Sequence, residues 1–283
     1  MKGIILAAGK GTRLYPLTVT APKALLPLYD KPMIYHPLTT LLQCGIKDIL
    51  IITNLEFLTD FHKILGNGGR FGAKFRYKQQ SEPRGIADAF NVGKRFIGKD
   101  DVTLILGDNV LHGDSIFKKA VKNFKSGATI FGYEVKDPER YGVVEFNSHN
   151  KAISIEEKPE SPKSNYAIPG LYIYDNSVID VAANLKPSKR GELEISDVND
   201  HFLQNGTLFV HKLSRGCAWL DAGTPESFIE ASNYISAIEK RQGIKIGCPE
   251  EAALRAKMIK KSDFKKKIDK MPNSEYKSYL QKL

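Results

Sequence analysis

The stretch KGIILAAGKGTRL, at residues 2–14, decides the fold. Its apolar part, residues 2–8, is a continuous run that ends in small residues, which is typical of a parallel strand buried on both faces. The glycines that follow let the backbone turn sharply and approach a ligand closely. A buried strand followed at once by a glycine-rich turn predicts an α/β fold with a ligand site at the carboxyl ends of its strands.

Strands and helices are predicted to alternate up to about residue 140. Further buried strands are predicted at Asp48–Thr53, Val102–Leu106 and Ala128–Tyr133, with an edge strand at Lys74–Gln79. Intervening helices are predicted at Met33–Cys44, Leu55–Leu65, Ile86–Phe96 and Asp114–Phe124. This alternation predicts βαβ units in a Rossmann-like three-layer sandwich with a mostly parallel central sheet.

Beyond residue 140 the pattern changes to short strands with occasional helices. The predicted strands are Val143–Phe146, Ala152–Glu156, Tyr166–Tyr174 and Leu208–Lys212, and the predicted helices are Val178–Leu185 and Ile195–Asn205. We interpret this part as strands added to the same sheet, forming a lobe. From Pro225 onward the chain is predicted to be helical.

Composition and charge predict a cytoplasmic protein and suit one that handles small phosphorylated molecules. The 283 residues are 42% hydrophobic, and no apolar run is long enough for a membrane span or a secretory signal. The net charge is +10, but nine lysines against three acidic residues lie beyond residue 256. A solvated helix face explains this charge better than a nucleic-acid site does. Three distant cysteines, Cys44, Cys217 and Cys248, predict neither a disulfide framework nor a zinc site.

The glycine-rich turn is predicted to bind phosphate. Backbone N–H groups around Gly9 and Gly11 can point at phosphate oxygens, Arg13 can bind two of them, and Lys23 supplies a second cation. The spacing does not fit a Walker loop, and Leu14 stands where a dinucleotide fingerprint needs its third glycine. A dinucleotide-dependent oxidoreductase is therefore a weak alternative.

Two aspartates are candidate Mg²⁺ ligands. Asp108 follows the predicted strand Val102–Leu106, and Asp221 precedes the predicted C-terminal helices. Mg²⁺ typically takes one or two carboxylates together with substrate phosphates and water. Each aspartate alone is also typical of a turn or a helix N-cap, and it is the phosphate loop that favours the metal interpretation.

A longer pattern surrounds the phosphate loop. The string GxGTRLxPLTxxxPKALLP, from Gly9 to Pro27, is identified as the signature of the sugar nucleotidylyltransferase family. Nearly the whole chain resembles that family's short, rhamnose-pathway glucose-1-phosphate thymidylyltransferases. The matching strings include YDKPMIY at 29–35, DPERYGVVEF at 137–146, EEKP at 156–159 and RGELEISDVN at 190–199.

The resemblance implies an in-line attack of glucose 1-phosphate on the α-phosphorus of dTTP, with Mg²⁺ as cofactor. The products would be pyrophosphate and dTDP-glucose, a first step toward dTDP-rhamnose or related deoxysugars. The implied catalytic residues are Arg13, Lys23, Asp108 and Lys158, with Asp108 and Asp221 on the metal. The implied nucleotide site adds Leu6, Ala8, Gly9, Gly11, Thr12, Gln80, Pro83 and Gly85. The implied sugar site contains Asn109, Tyr141, Gly142, Glu157, Lys158 and Tyr172.

For the C-terminal region the resemblance implies a homotetramer with a second, regulatory nucleotide site. We therefore expect the end-product dTDP-sugar to inhibit the enzyme. Arg215 and Arg255 are the candidates for that regulatory site. We predict a catalytic domain with a sugar-binding lobe at 1–224 and an oligomerisation and regulatory region at 225–283. No nucleic-acid or membrane partner is expected.

Two alternatives remain open at the level of sequence. The Ala7-Ala8 and Pro22-Lys23-Ala24 forms of the loop also occur in relatives that use UTP or CTP, so these nucleotides are alternative donors. An alternative of another class is a non-catalytic nucleotide-sugar sensor on the same fold. Retention of the charged residues named above counts against the sensor.

Overall fold

The structure, a computed structural model, describes residues 1–113 and 115–283. Strands β1 to β14 are, in chain order, Lys2–Leu6, Pro27–Leu28, Lys31–Pro32, Asp48–Thr53, Lys74–Gln79, Val102–Leu106, Val110–His112, Ala128–Glu134, Gly142–Phe146, Ala152–Glu157, Tyr166–Ala167, Leu171–Tyr174, Leu208–Lys212 and Ala218–Leu220. Helices α1 to α10 are Tyr35–Gln43, Leu58–Leu65, Asp88–Ile97, Ile116–Asn123, Val178–Asn184, Ile195–Gln204, Pro225–Gln242, Pro249–Arg255, Lys261–Asp269 and Glu275–Gln281.

One large sheet organises the described part of the chain. Its strand order is β10-β9-β11-β8-β12-β6-β1-β4-β5, and β13 pairs with β8. The part formed by β6, β1, β4 and β5 is parallel, with β5 at the edge as predicted. The strands from β12 to β10 are antiparallel additions to the same sheet. The predicted Rossmann-like α/β fold is confirmed, including the added strands beyond residue 140.

Helices cover both faces of this sheet. Along β1, Ile4 packs into a core with α3, α5 and α6, whereas Ile5 packs on the opposite face with α1, α2 and α8. This alternation follows from the two-residue period of a strand and gives the predicted three layers. No helix of residues 1–113 and 115–283 is long and apolar enough to span a membrane.

The C-terminal helices share the core of the sheet. Ala253 of α8, Phe264 of α9 and Leu280 of α10 are buried in the same cluster as Ile5. Helix α7 starts at a capping box formed by Thr224 and Ser227. The division of function at residue 224 remains a prediction.

Apart from shifts of one or two residues at strand ends, the strands differ from the sequence prediction in three places. The predicted strand Tyr166–Tyr174 is broken into β11 and β12, because Pro169 lacks an N–H group and the N–H of Gly170 is donated to the Asn109 side chain at 3.0 Å. Two small pairs, β2 with β3 and β7 with β14, were not predicted. The predicted helix at 114–124 is observed as α4, and Asp114 lies outside the described residues.

Candidate active site

A cavity of about 200 Å³ opens at the carboxyl end of β6 and is bounded on its other side by the added strands β9, β10 and β12. Predicted residues that line it are Arg13, Asp108, Asn109, Tyr141, Gly142, Glu157, Lys158, Tyr172 and Asp221. Residues from distant parts of the sequence therefore meet at the sheet edge where ligands of open α/β folds bind.

The phosphate loop leaves β1 as the sequence predicts. Leu6 ends the strand, and its carbonyl accepts from Gly107 N at 2.8 Å, which ties the loop to the segment that carries Asp108. Ala8 is buried, Gly9 lies in open space, and Gly11 adopts φ +61° immediately before a 3-10 turn that begins at Thr12. Glycine is favoured at this positive φ, and an added Cβ at Gly11 would also lie 2.8 Å from Thr18 Cγ2.

Lys23 contacts both segments that carry the candidate metal carboxylates. Its ammonium donates to Asp108 Oδ2 at 2.5 Å and lies 3.5 Å from the backbone oxygen of Asp221. The Asp221 carboxylate is contacted by Arg140 at 3.4 Å, and Arg140 also binds Asp137 at 2.7 Å. The Arg13 guanidinium lies near the Asp221 carboxylate, because both groups approach Gly223. A Cβ added at Gly223 would be 3.4 Å from Arg13 Nη2 and 3.3 Å from Asp221 Oδ2.

This donor set fits Mg²⁺. No cluster of three or more metal-ligating side chains occurs within residues 1–113 and 115–283. Mg²⁺ commonly uses one or two carboxylates and completes its coordination with phosphate oxygens and water. Asp108 and Asp221 lie in one cavity, next to the phosphate loop, and they are held by cations that phosphate could draw away.

Asn109 is a buried junction behind the candidate metal ligand Asp108. Its Nδ2 donates to Asp108 Oδ1 at 2.8 Å. Its Oδ1 accepts from Trp219 Nε1 at 2.7 Å and from Gly170 N at 3.0 Å. The side chain thus joins β6, the β11–β12 break and β14, and it holds Asp108 in place. The sequence assigned Asn109 to sugar binding, and the structure adds this positioning role.

Glu157 lies at the sugar side of the cavity. Its Oε2 accepts from Ser196 at 3.1 Å, and its Oε1 lies 3.5 Å from Arg190 and 4.0 Å from Lys158. Burial raises the pKa of Glu157 above its ordinary range, with a further contribution from nearby Glu194, although the Ser196 hydrogen bond opposes the shift. Gly142 leaves room for this carboxylate, because a Cβ there would lie 3.2 Å from Oε2.

Lys158 has an unusual backbone conformation. Its φ is +44°, in the region that favours glycine, and such strain is characteristic of functional positions. Tyr172 is buried behind Glu157, and burial raises its pKa well above the ordinary value. The Tyr141 ring packs at a tilt against Trp219, with ring centroids 4.9 Å apart, and Trp219 forms a wall of the cavity.

The predicted base-binding residues lie at the far end of the parallel sheet. Gln80 follows β5 and donates its N–H to Thr53 O at the end of β4, at 2.9 Å. Pro83 is exposed, and Gly85 adopts φ +99° against Leu193. None of these three is among the described residues that line the 200 Å³ cavity. A ligand that joined both sites would pass over β1 and its phosphate loop.

Sequence reasoning missed several residues of the cavity. Arg140, Arg190, Ser196 and Asn199 contact predicted site residues or line the cavity, but none received a role from the sequence. Their signal was present in the strings DPERYG and RGELEISDVN, which were used for resemblance and not for chemistry.

Comparison with known proteins identifies the family. The model of the nucleotidyl transferase family matches residues 2–237. Glucose-1-phosphate thymidylyltransferase of Mycolicibacterium smegmatis is 50% identical over 285 residues, covering 100% of this chain and 99% of the relative. The chain belongs to the glucose-1-phosphate thymidylyltransferases of the nucleotidyl transferase family. The thymidylyltransferase of Neisseria gonorrhoeae is also 50% identical, over 99% of this chain and 98% of its own.

Solved structures agree with this placement. A Bacillus anthracis protein solved in complex with sucrose is 45% identical, with a TM-score of 0.77 over 83% of this chain and 94% of its own. A UDP-glucose pyrophosphorylase complexed with UDP-glucose is 26% identical, with a TM-score of 0.73 over 85% of this chain and 99% of its own. In sequence, the chain is therefore more similar to these thymidylyltransferases than to the UDP-glucose pyrophosphorylase.

The two regulatory candidates lie in different places. Arg255, on α8, lines a second cavity of about 530 Å³ between α1, α4 and α8. Arg215 is exposed in the loop before β14, and it is not among the described residues that line this cavity. His36 and Thr39 of α1 line it with buried polar atoms that have no hydrogen-bond partner among the described residues. Burial lowers the pKa of His36 to about 3.

Proposed function

We propose that this chain is a glucose-1-phosphate thymidylyltransferase, which joins glucose 1-phosphate to dTTP and releases dTDP-glucose and pyrophosphate. The observation that carries the proposal is the cavity in which Asp108 and Asp221 meet Arg13 and Lys158, with Lys23 bound to Asp108 beside the phosphate loop. A cluster of paired carboxylates and cations without an activated nucleophile suits direct phosphoryl-type transfer.

In the proposed reaction, a phosphate oxygen of glucose 1-phosphate attacks the α-phosphorus of dTTP. One P–O bond forms to the sugar phosphate, the bond to the β-phosphate breaks, and its electron pair leaves with pyrophosphate. Arg13 would bind the leaving phosphates, where negative charge develops. Lys23 would move from Asp108 to the reacting phosphates, and Lys158 would hold the incoming sugar phosphate. Arg190, which reaches Glu157, would add positive charge on the sugar side.

Asp108 and Asp221 would hold Mg²⁺ together with phosphate oxygens. When bound, Mg²⁺ supplies charge neutralisation for the triphosphate. Asn109 would keep Asp108 oriented through the 2.8 Å hydrogen bond from its amide. Glu157 would accept hydrogen bonds from sugar hydroxyls, with Tyr172 and Gly142 shaping the pocket around it.

The proposal of dTTP as donor rests on sequence similarity. The chain is 50% identical to thymidylyltransferases but 26% identical to a UDP-glucose pyrophosphorylase. UTP and CTP are therefore the less favoured donors, and the non-catalytic sensor is disfavoured by the same similarity. Thymine and uracil differ by one methyl group, so discrimination between them is expected to be modest.

We further propose a homotetramer whose second cavity binds the dTDP-sugar end product of a rhamnose-type pathway. Lys118, Lys245 and Arg255 line this cavity and suit an anionic ligand, while His36 and Thr39 offer unpartnered polar atoms. Adding dTDP-rhamnose at limiting substrate should lower the rate, and Arg255→Ala should weaken that inhibition. Equal rates with and without dTDP-rhamnose would contradict the regulatory proposal.

The deciding experiment is pyrophosphate release with glucose 1-phosphate, Mg²⁺ and each of dTTP, UTP, CTP, ATP and GTP in parallel. The highest rate is expected with dTTP, and omission of Mg²⁺ should abolish the signal. A clear preference for UTP or CTP would keep the chemistry but change the product. No release with any nucleotide would overturn the proposed activity.

A further inference from the structure

The amide of Gln80 is surrounded by hydrogen-bond acceptors. Gln80 is buried where β5 ends, and its Nε2 lies 3.0 Å from Asp88 Oδ2 and 3.4 Å from the backbone oxygen of Gly85. A backbone carbonyl can only accept, and an ionised carboxylate can only accept. The amide therefore has one stable orientation, with its NH₂ group toward Asp88 and Gly85.

Asp88 is itself held in a fixed position. It is the first residue of α3 and is 5% exposed, and its Oδ1 accepts from Asn91 Nδ2 at 3.4 Å. A negative charge in the first turn of a helix is stabilised by the N-terminal backbone N–H groups. The carboxylate is thus anchored on the helix that packs beneath β1 and β4, and Gln80 is the residue whose amide it orients.

The consequence concerns the oxygen of the Gln80 amide. Once Nε2 is used on Asp88 and Gly85, Oε1 is left as an acceptor, and it accepts no hydrogen bond from residues 1–113 and 115–283. In the proposed base site Oε1 faces N3 of the pyrimidine, and an acceptor in that position pairs only with a base that carries an N–H donor at N3. Thymine and uracil carry such a donor at N3, whereas cytosine carries an acceptor at N3 and an amino donor at C4.

We propose that Asp88 is a specificity-determining positioning residue, which fixes the Gln80 amide so that the base site accepts thymine or uracil and rejects cytosine. The inference rests on the proposed function, in which Gln80 meets the pyrimidine edge. To pair with N3 of cytosine, the Gln80 amide would have to turn its NH₂ group toward the base. Oε1 would then face the Asp88 carboxylate, and the hydrogen bond from Nε2 to Asp88 would be lost. Discrimination against cytosine then follows from Asp88 as much as from Gln80.

The test compares donors by kcat/KM in the pyrophosphate-release assay with dTTP, dUTP and dCTP. Wild type should prefer dTTP over dCTP. Asp88→Asn can pair with either orientation of the amide, so the dTTP-to-dCTP ratio should fall by about tenfold or more, mainly through KM. The dTTP-to-dUTP ratio should stay unchanged, because both bases carry the same N3–H donor. General damage to the site would lower kcat/KM for dTTP and for dCTP together, and the dTTP-to-dCTP ratio would stay unchanged.

Two further variants complete the test. Asp88→Leu removes both acceptor oxygens and should also reduce the dTTP-to-dCTP ratio. Asp180→Asn removes an exposed acid from the first turn of α5 and should leave the ratio as in wild type. If Asp88→Leu does not fold, the Asp88→Asn variant alone tests the inference. The rise in melting temperature on adding dTTP or dCTP then gives a second measure of the nucleotide preference.

Two results would overturn the inference. One is a wild-type enzyme that is active with dTTP but equally active with dCTP. The other is a folded Asp88→Asn enzyme with the wild-type ratio. A wild-type protein that is inactive with every nucleotide would instead contradict the proposed function itself.

Discussion

Two substitutions of Asn109 should separate its contribution to the stability of the fold from its role in positioning Asp108, the candidate metal ligand. In Asn109→Ala, the N–H groups of Trp219 and Gly170 lose a buried acceptor. Each orphaned buried donor costs about 1–3 kcal/mol, so the free energy of unfolding should fall by roughly 2–6 kcal/mol. Asp108 also loses the donor that lies 2.8 Å from its Oδ1.

Asn109→Asp is the informative partner of this variant. It keeps acceptor oxygens for Trp219 and Gly170, so its loss of stability should be smaller. It also replaces the amide donor next to Asp108 with a carboxylate oxygen, and the two negative charges should repel each other. Turnover should therefore fall strongly in Asn109→Asp although the protein remains folded.

Urea unfolding and pyrophosphate release measure the two effects. The matched control is Asn147→Ala, because Asn147 Oδ1 also accepts two backbone N–H groups, from His149 and Lys151, both at 3.0 Å, but in an exposed turn. Water can replace that acceptor, so the control should lose less than about 1 kcal/mol. If Asn109→Ala were no less stable than Asn147→Ala, the buried hydrogen-bond reasoning would be refuted.

Three further predictions follow from the site. Asp108→Asn and Asp221→Asn should each lower turnover by several orders of magnitude with an unchanged melting temperature, and near-normal turnover in either would contradict the metal assignment. Gly85→Ala should raise KM for the nucleotide, because its Cβ would lie 2.4 Å from Leu193 O, whereas Gly206→Ala, also at positive φ but with nothing within 4 Å, should not. Because burial raises the pKa of Glu157, the folded protein keeps this proton to higher pH than the unfolded chain, and the free energy of unfolding should decrease as pH rises from about 4 through the raised pKa. Glu157→Gln should remove that decrease in urea titrations across pH, and an unaltered pH profile would contradict the shift.

Local sequence patterns were sufficient for most of the fold. The predominantly apolar segments Asp48–Thr53 and Val102–Leu106 are strands with the predicted bounds, because strands buried on both faces are rich in apolar side chains. The break at Pro169-Gly170 was missed, since the partner that takes the Gly170 N–H is a side chain remote in sequence. The pairing of β7 with β14 was missed for the same reason.

The candidate site divides in the same way. The sequence by itself determined the strand–helix alternation, the phosphate loop and the residue types suited to phosphate and Mg²⁺, because these depend on side-chain chemistry and short-range spacing. Only the tertiary structure decided that Lys23 reaches the Asp108 carboxylate and the Asp221 backbone, that Asn109 orients Asp108, and that Asp88 orients Gln80. Each of these contacts joins segments brought together by the sheet and its helices, and hydrogen-bond geometry across such segments cannot be read from spacing along the chain.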